Sequence, residues 1–246
     1  MPRYDFRSPR LFVDAPLGAG AVVPLAREQA HYLGNVLRLG PGDAVLAFNG
    51  RDGEWQATLA GGKKPSGLTV AEQTRTQPAA GEVHLLFAPL KHARLDYMVQ
   101  KAVELGASRL VPILTRHTQV ARVNLERMRA NAIEAAEQCG VLAVPDVAEP
   151  VAFSALAFGP ERLVVFCDEA ADVADPVAAL RAATNASMPP VAVVIGPEGG
   201  FTEEERSQLL RAPSVVRLAL GPRILRADTA AVAALTVVQA VLGDWR

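Results

Sequence analysis

Three stretches of this sequence place glycine, proline and charge directly after an apolar run, where loops at strand ends can do chemistry. Residues 196–201 read Gly-Pro-Glu-Gly-Gly-Phe after the run Val191 to Ile195, and Thr202 and Glu205 then offer a Thr-x-x-Glu capping box for a helix. A glycine-rich turn entering a helix has the shape of a phosphate cradle, but neither Gly-Lys-Ser/Thr nor Gly-x-Gly-x-x-Gly is present. Glu203, Glu204 and Glu205 crowd the helix start, with Glu198 in the loop before it. A helix dipole supplies only about half a positive charge. Four carboxylates therefore predict a site that repels polyphosphate and admits a neutral or cationic ligand. The second stretch follows Leu220 and reads Gly-Pro-Arg-Ile-Leu-Arg-Ala-Asp-Thr-Ala-Ala over 221–231. Asp228 or Thr229 is expected to cap the next helix. Arg223 and Arg226, interleaved with Ile224 and Leu225, exceed what capping requires. The third stretch, Asp168-Glu169-Ala170-Ala171, is acidic and alone says little.

The elements that must position these loops are legible from periodicity. β-like runs at 11–13, 21–23, 44–48, 55–59 and 67–70 are separated by Gly/Pro/Asn/Asp turns, and one amphipathic segment from Ala26 to Leu37 predicts a short helix. Short strands with one helix indicate a small barrel over residues 1–75. Thr74 to Gly81 reads as a linker. A second domain over 80–246 alternates apolar strands (83–88, 110–114, 163–167, 191–195 and 215–220) with helices, notably one bearing Leu95, Met98, Val99, Ala102 and Val103, one over 124–138 and one over 228–242. Uninterrupted apolar strands between helices are what a parallel sheet covered on both faces requires, and ligands of such sheets bind beyond the strands' carboxyl ends. The expected class is α/β.

The 246 residues carry 25 Lys+Arg and 26 Asp+Glu, a formal charge of -1 that excludes a histone-like coat. The charge is uneven: residues 1–145 carry a net +4 and the remainder a net -5. Cys139 and Cys167 are too few for a disulfide framework or a zinc site and are expected to be buried apolar residues. His31, His84, His92 and His117 lack metal-ligand spacing, so no metal is expected. Without an apolar run of about 18 residues, or a signal-like start, a soluble cytoplasmic chain with no membrane role is expected.

The loops become specific when read together. Ile195-Gly-Pro-Glu-Gly-Gly200 and Leu220-Gly-Pro-Arg-Ile-Leu-Arg-Ala-Asp-Thr-Ala230 resemble the two signature motifs of the RsmE family of ribosomal small-subunit RNA methyltransferases. His31 to Leu39 with Gly42-Asp43, Gln100 to Gly106, and Glu134 to Gly140 agree in order along the chain. The resemblance implies an N-terminal PUA-like β-barrel and a C-terminal SPOUT-type α/β domain with a trefoil knot. It also implies a homodimer, S-adenosylmethionine as methyl donor, and N3 of a uridine in 16S ribosomal RNA, free or in the assembled small subunit, as acceptor. It assigns the cofactor to Ile195, Gly196, Pro197, Glu198, Gly199, Gly200, Leu220, Gly221, Ile224, Leu225 and Ala230. The family commonly has Glu where this chain has Asp228, Arg at the position of Val141, and Ser at that of His117.

Methylation at N3 requires positioning of two reactants and loss of the imide proton, for which a well-placed base contributes about 10²–10⁴-fold. Arg226 is expected to hold a uracil carbonyl, with Asp228 or a water bound to it taking the proton; the bland readings are a dimer or helix-end salt bridge for Arg226 and an N-cap for Asp228. Cys139 is read as packing, because attack by nitrogen needs no covalent intermediate. RNA phosphate contacts are expected from Arg3, Arg7, Arg10, Arg38, Lys91, Arg94, Lys101 and Arg116. A dinucleotide-dependent oxidoreductase or a non-catalytic RNA-binding module are the alternatives.

Overall fold

The computed structural model describes residues 8–62, 64–120, 122–172, 175–184 and 189–245. The chain divides into two compact units: residues 1–79 with 136–144, and residues 80–135 with 145–246.

The first unit is a five-stranded sheet in the order β1-β3-β4-β5-β2, formed by β1 (Arg10–Phe12), β2 (Val22–Pro24), β3 (Ala44–Phe48), β4 (Glu54–Gly61) and β5 (Pro65–Arg75). β3, β4 and β5 pair antiparallel, whereas β1 runs parallel to β3. Their inward residues, among them Leu11, Val23, Val45, Ala57, Leu59, Leu68 and Val70, close on Leu33. Leu33 comes from the expected helical segment, which starts as α1 (Arg27–His31) and widens into a π-type turn over Tyr32–Val36, where Leu37 N–H reaches Tyr32 O. β5 runs five residues beyond the apolar stretch that announced it, into the expected linker. Hydrogen bonding to β4 carries it there across register shifts, and these edge-of-sheet positions need no apolar side chain.

Glu54 is the electrostatic centre of this unit. Its side chain is 4% exposed and pairs with Arg10 Nε at 2.8 Å and Arg75 Nη2 at 2.5 Å. Arg10 also donates to the carbonyls of Ala136, Glu137 and Val141, and Arg75 to that of Gly140. Burial alone pushes the Glu54 carboxyl up, but the hydrogen bonds from Arg75 and Arg10 outweigh it and hold the group below its ordinary value. Arg10 is therefore corrected from an RNA contact to a structural residue: its side chain is 6% exposed, one face lies over the Phe48 ring and its N–H groups are spent on Glu54 and backbone carbonyls.

The second unit is a parallel sheet in the order β12-β10-β11-β6-β7-β8, with β9 also on β7. Its strands are β6 (Val83–Phe87), β7 (Arg109–Leu114), β8 (Asp146–Val147), β9 (Val151–Ala152), β10 (Leu163–Cys167), β11 (Val191–Ile195) and β12 (Val215–Leu218). All five residues of β11 are buried, as two covered faces demand. The helices are α2 (His92–Glu104), α3 (Leu125–Cys139, of which residues 136–139 count with the first unit), α4 (Pro176–Ala182), α5 (Glu203–Leu210) and α6 (Ala227–Val241). α2 packs on α6, and α6 on β11. α4 has no long apolar period to announce it; its signal is Asp175-Pro176, an N-cap that accepts from Val177 and Ala178 N–H followed by proline at the first helical position. Cys139 departs from expectation, exposed at the end of α3, whereas Cys167 is half-buried with its thiol shielded from solvent. No helix among the described residues is long and apolar enough to cross a membrane.

Removing one partner of a buried pair leaves an uncompensated charge, at a cost of about 3–5 kcal/mol. Glu54→Ala is expected to lose that much stability in urea unfolding followed by intrinsic fluorescence, and Lys64→Ala, on the exposed turn before β5, less than about 0.5 kcal/mol.

Candidate functional site

The sheet order brings the three loops together. β10 lies between β11 and β12, parallel to both, with Phe166 opposite Val194 and Cys167 opposite Leu218. Three carboxyl ends therefore point the same way on neighbouring strands, although the residues beyond them, 168, 196 and 219, are far apart in sequence. Between the loops lies a cavity of about 340 Å³. Of the predicted residues, Ile195, Gly196, Pro197, Glu198, Gly200, Ile224, Leu225, Arg226 and Ala230 line it. Leu220 and Gly221 line an adjoining cavity of about 230 Å³ that shares Ile224, Leu225 and Ala230 with the first. Gly199 and Asp228 line neither.

The 196–201 loop is shaped by close approach. A Cβ on Gly196 would come within 2.6 Å of the Phe201 ring, which is wedged against Phe166 and Phe153 at centroid distances of 5.4 and 5.6 Å. Gly200 turns the chain at a φ of 70° and returns its N–H to Pro197 O at 2.9 Å. At Gly199 the neighbour is the His117 side chain, whose ring Nδ1 lies 3.0 Å from Gly200 O. The expected capping box on α5 is present. Its glutamate does more than cap: Glu205 is buried and accepts from Thr202 N–H at 2.9 Å and Arg116 N–H at 2.8 Å, tying the loop after β7 to the helix start. Glu198 pairs with Arg94. The four carboxylates thus do not act as one repulsive cluster. Glu205 is spent on backbone N–H groups, Glu198 is paired with Arg94, and Glu203, open to solvent like Glu204, lies 3.6 Å from Arg206 Nε.

The acidic stretch after β10, uninformative by itself, holds the central charge. Asp168 is 1% exposed in its side chain and receives Arg206 Nη1 and Nη2 at 2.5 and 3.0 Å and Arg217 Nε and Nη2 at 2.9 and 2.7 Å. Its Oδ1 also accepts from Ala170 N–H. Burial pushes this carboxyl up, and the hydrogen bonds from Arg206, Arg217 and Ala170 more than reverse that, holding it below its usual value. Arg206 is on α5 and Arg217 on β12, so one carboxylate joins three elements. The partners lie 38 and 49 residues away, beyond any local spacing rule. Glu169 beside it is exposed and faces both cavities. The Cys167 thiol, on the same walls, is pushed up to about 12 by burial and by the neighbouring Asp168 charge, which keeps it protonated.

The 221–226 loop differs from expectation at its end. The N-cap of α6 is Arg226, in extended backbone with no side-chain cap, and Asp228 lies in the first turn with its Oδ1 on Thr229 N–H at 3.0 Å. Asp228 is half-buried. The Arg226 side chain is exposed and forms no ion pair among the described residues, so no helix-end salt bridge forms within the chain. Ile224 is 90% exposed. Of the basic residues nominated for RNA, Arg3 and Arg7 lie outside the described residues. Arg38 is exposed, in left-handed backbone at a φ of 58°. Lys91 and Arg116 are exposed, and Lys101 is held by Glu104 at 2.6 Å. No cluster of three metal-ligating side chains occurs among the described residues.

The RNA methyltransferase domain family matches residues 77–239, and the RNA methyltransferase PUA domain matches residues 25–68. A ribosomal RNA small subunit methyltransferase E of Rickettsia conorii is 30% identical over 94% of each chain. That of Synechocystis is 36% identical over 90% of this chain and 74% of its own. Among solved structures, a methyltransferase of Legionella pneumophila in complex with bound SAM is similar with a TM-score of 0.83 and 29% identity, over 97% of this chain and 99% of that one. A ribosomal RNA small subunit methyltransferase E of Neisseria gonorrhoeae bound to S-adenosyl methionine gives 0.79 and 27%, over 98% and 100%.

Because Asp168 has a depressed pKa in the fold, its stabilisation is complete above the ordinary carboxylate range and is lost as pH falls through the folded value. Asp168→Asn is expected to destabilise the protein by about 3 kcal/mol at neutral pH. The gap to the unsubstituted protein is expected to narrow toward about pH 3 in guanidinium titrations run across that range.

Proposed function

Because this chain belongs to the ribosomal RNA small subunit methyltransferase E family, we propose that it transfers a methyl group from S-adenosylmethionine to N3 of a uridine in small-subunit ribosomal RNA. The observation that carries the reading is the cavity formed by the loops after β10, β11 and β12. Its volume falls in the range of about 300–1,000 Å³ common to small-molecule sites. The residues present fit the donor. Ile195, Leu225 and Ala230 offer apolar walls for adenine, Gly200 brings backbone close, and the exposed Glu169 carboxylate suits a cation. Asp168, neutralised by its two arginines, leaves Glu169 as the open carboxylate of that loop. When bound, the donor supplies an electrophilic methyl on a sulfonium.

The chain's own residues handle the acceptor. Arg226, exposed at the cavity rim without an ion-pair partner among the described residues, holds a uracil carbonyl as negative charge moves onto it. Asp228 takes the N3 proton. Its place in the first turn of α6, off the cavity wall, favours a route through a water bound to its carboxylate. Arg38, Lys91, Arg94, Lys101 and Arg116 position RNA through phosphates.

We further propose that residues 1–75 form a PUA-like RNA-binding barrel and residues 80–246 a SPOUT-type domain whose last strands and α6 thread a trefoil knot. The protein would then act as a homodimer in the cytoplasm. Support for the first assignment is the match of residues 25–68 to the RNA methyltransferase PUA domain. The placement of β10 between β11 and β12 is compatible with a threaded chain. A dinucleotide oxidoreductase or a non-catalytic RNA-binding module does not account for the family membership together with this cavity.

Labelled methyl transfer to small ribosomal subunits and to naked RNA, followed by nucleoside analysis, is expected to yield N3-methyluridine; another methylated nucleoside would overturn the assignment. Arg226→Ala is expected to lower kcat by about 10²–10³-fold with S-adenosylmethionine affinity retained in calorimetry. RNA affinity is expected to fall steeply with salt.

A further inference from the structure

A second and larger cavity, of about 420 Å³, lies in the same unit at the start of α2. Lys91, His92, Ala93 and Arg94 form one side of it and Gln119 and Val120, from the segment after β7, another; Pro197 and Glu198 close it. Pro197 and Glu198 also line the donor cavity, so the two spaces share a wall. Arg94 Nη1 is bonded to the Glu198 carboxylate across that wall, with both side chains partly open to solvent. None of Lys91, His92 or Arg94 lines the donor cavity. An acceptor atom, however, must come into contact with the transferable methyl, so its pocket has to adjoin the donor's. RNA also carries a phosphate on every nucleotide, which lysine and arginine recognise.

We infer that this second cavity receives the phosphate side of the acceptor nucleotide, its uracil reaching past the shared wall to Arg226, and that the phosphate takes Arg94 from Glu198. The inference rests on the RNA methyltransferase reading. Once released, the Glu198 carboxylate stands at the shared wall with its charge uncompensated and favours a cation in the donor cavity. RNA and a cationic donor then bind cooperatively, and linkage makes the effect reciprocal. Methyl transfer turns the sulfonium into a neutral thioether, so the same exchange loosens the product pair.

The test begins with the unsubstituted protein, which must methylate small-subunit RNA; failure there overturns the proposed function and not the cavity assignment alone. A uridine-containing oligoribonucleotide that the protein methylates is then followed by fluorescence anisotropy. It is measured with sinefungin, whose amine carries positive charge without a transferable methyl, or with neutral S-adenosylhomocysteine. Sinefungin is expected to tighten RNA binding about two- to fivefold over S-adenosylhomocysteine, the range of a partly exposed ion pair. Arg94→Ala and Glu198→Gln are each expected to erase the difference. Ala93→Trp, filling the cavity, and Lys91→Ala are expected to weaken RNA binding by about tenfold. Sinefungin affinity is expected to stay unchanged in both, which reports an intact donor site, and Arg181→Ala on α4 serves as the charge control. RNA binding by Ala93→Trp and Lys91→Ala equal to the unsubstituted protein overturns the pocket. A difference between the two ligands that persists in Arg94→Ala overturns the exchange.

Discussion

Asp168 stands one residue beyond β10, and the arrangement of the site depends on its charge being met from two directions. A carboxylate this deeply buried is tolerated only when its lone pairs are filled by cations and N–H groups. Arg206 fills two positions from α5 and Arg217 Nε a third from β12, with Ala170 N–H completing the set. Each arginine thereby fixes its own element against the end of β10. The α5 start fixes the 196–201 loop through Thr202 and Glu205, and Glu205 extends the tie to the segment after β7 through Arg116 N–H. A single buried charge thus sets the spacing of the cavity's walls.

The strand order makes such a junction possible. Parallel neighbours place all their carboxyl ends on one side, and the position of β10 between β11 and β12 sets residues from three distant parts of the chain within reach of one another. The electrostatic outcome is graded. Asp168 is neutralised, Glu198 is shared with Arg94, Glu205 is spent on backbone N–H groups, and Glu169 remains open. Four glutamates read along the sequence suggest a uniformly negative helix start. Geometry assigns them separate tasks, and the cationic ligand that the charge argument anticipates fits an open Glu169 better than a repulsive cluster.

The first unit repeats the physics in a structural setting. Glu54 is buried between Arg10 and Arg75, and these arginines also satisfy the carbonyls of residues 136–141. Arg10 shows why a basic residue ahead of a strand is an unreliable sign of RNA contact. In sequence it looks like Arg38, but one packs over Phe48 and meets a buried carboxylate while the other stands in solvent on a left-handed turn.

Hydrophobic periodicity alone determined the α/β alternation and most element positions: the runs at 163–167 and 191–195 coincide with β10 and β11, and α3 and α6 lie within a residue of their expected bounds. Residue chemistry pointed to the three loops and to a ligand without phosphate, and the resemblance to the RsmE family implied that this ligand is a methyl donor. Periodicity is local, so it carries the elements well. It reads less of α4, whose signal is a cap, and of the far part of β5, which exists through pairing with β4. Only the tertiary structure decided which charges pair. Asp168 with Arg206 and Arg217, Glu54 with Arg10 and Arg75, and Glu205 with Arg116 N–H are all separated by 21 residues or more. A charge in sequence is free to meet any opposite charge. Which one it meets is set by the strand order that the buried apolar residues impose, and that order is a property of the folded sheet.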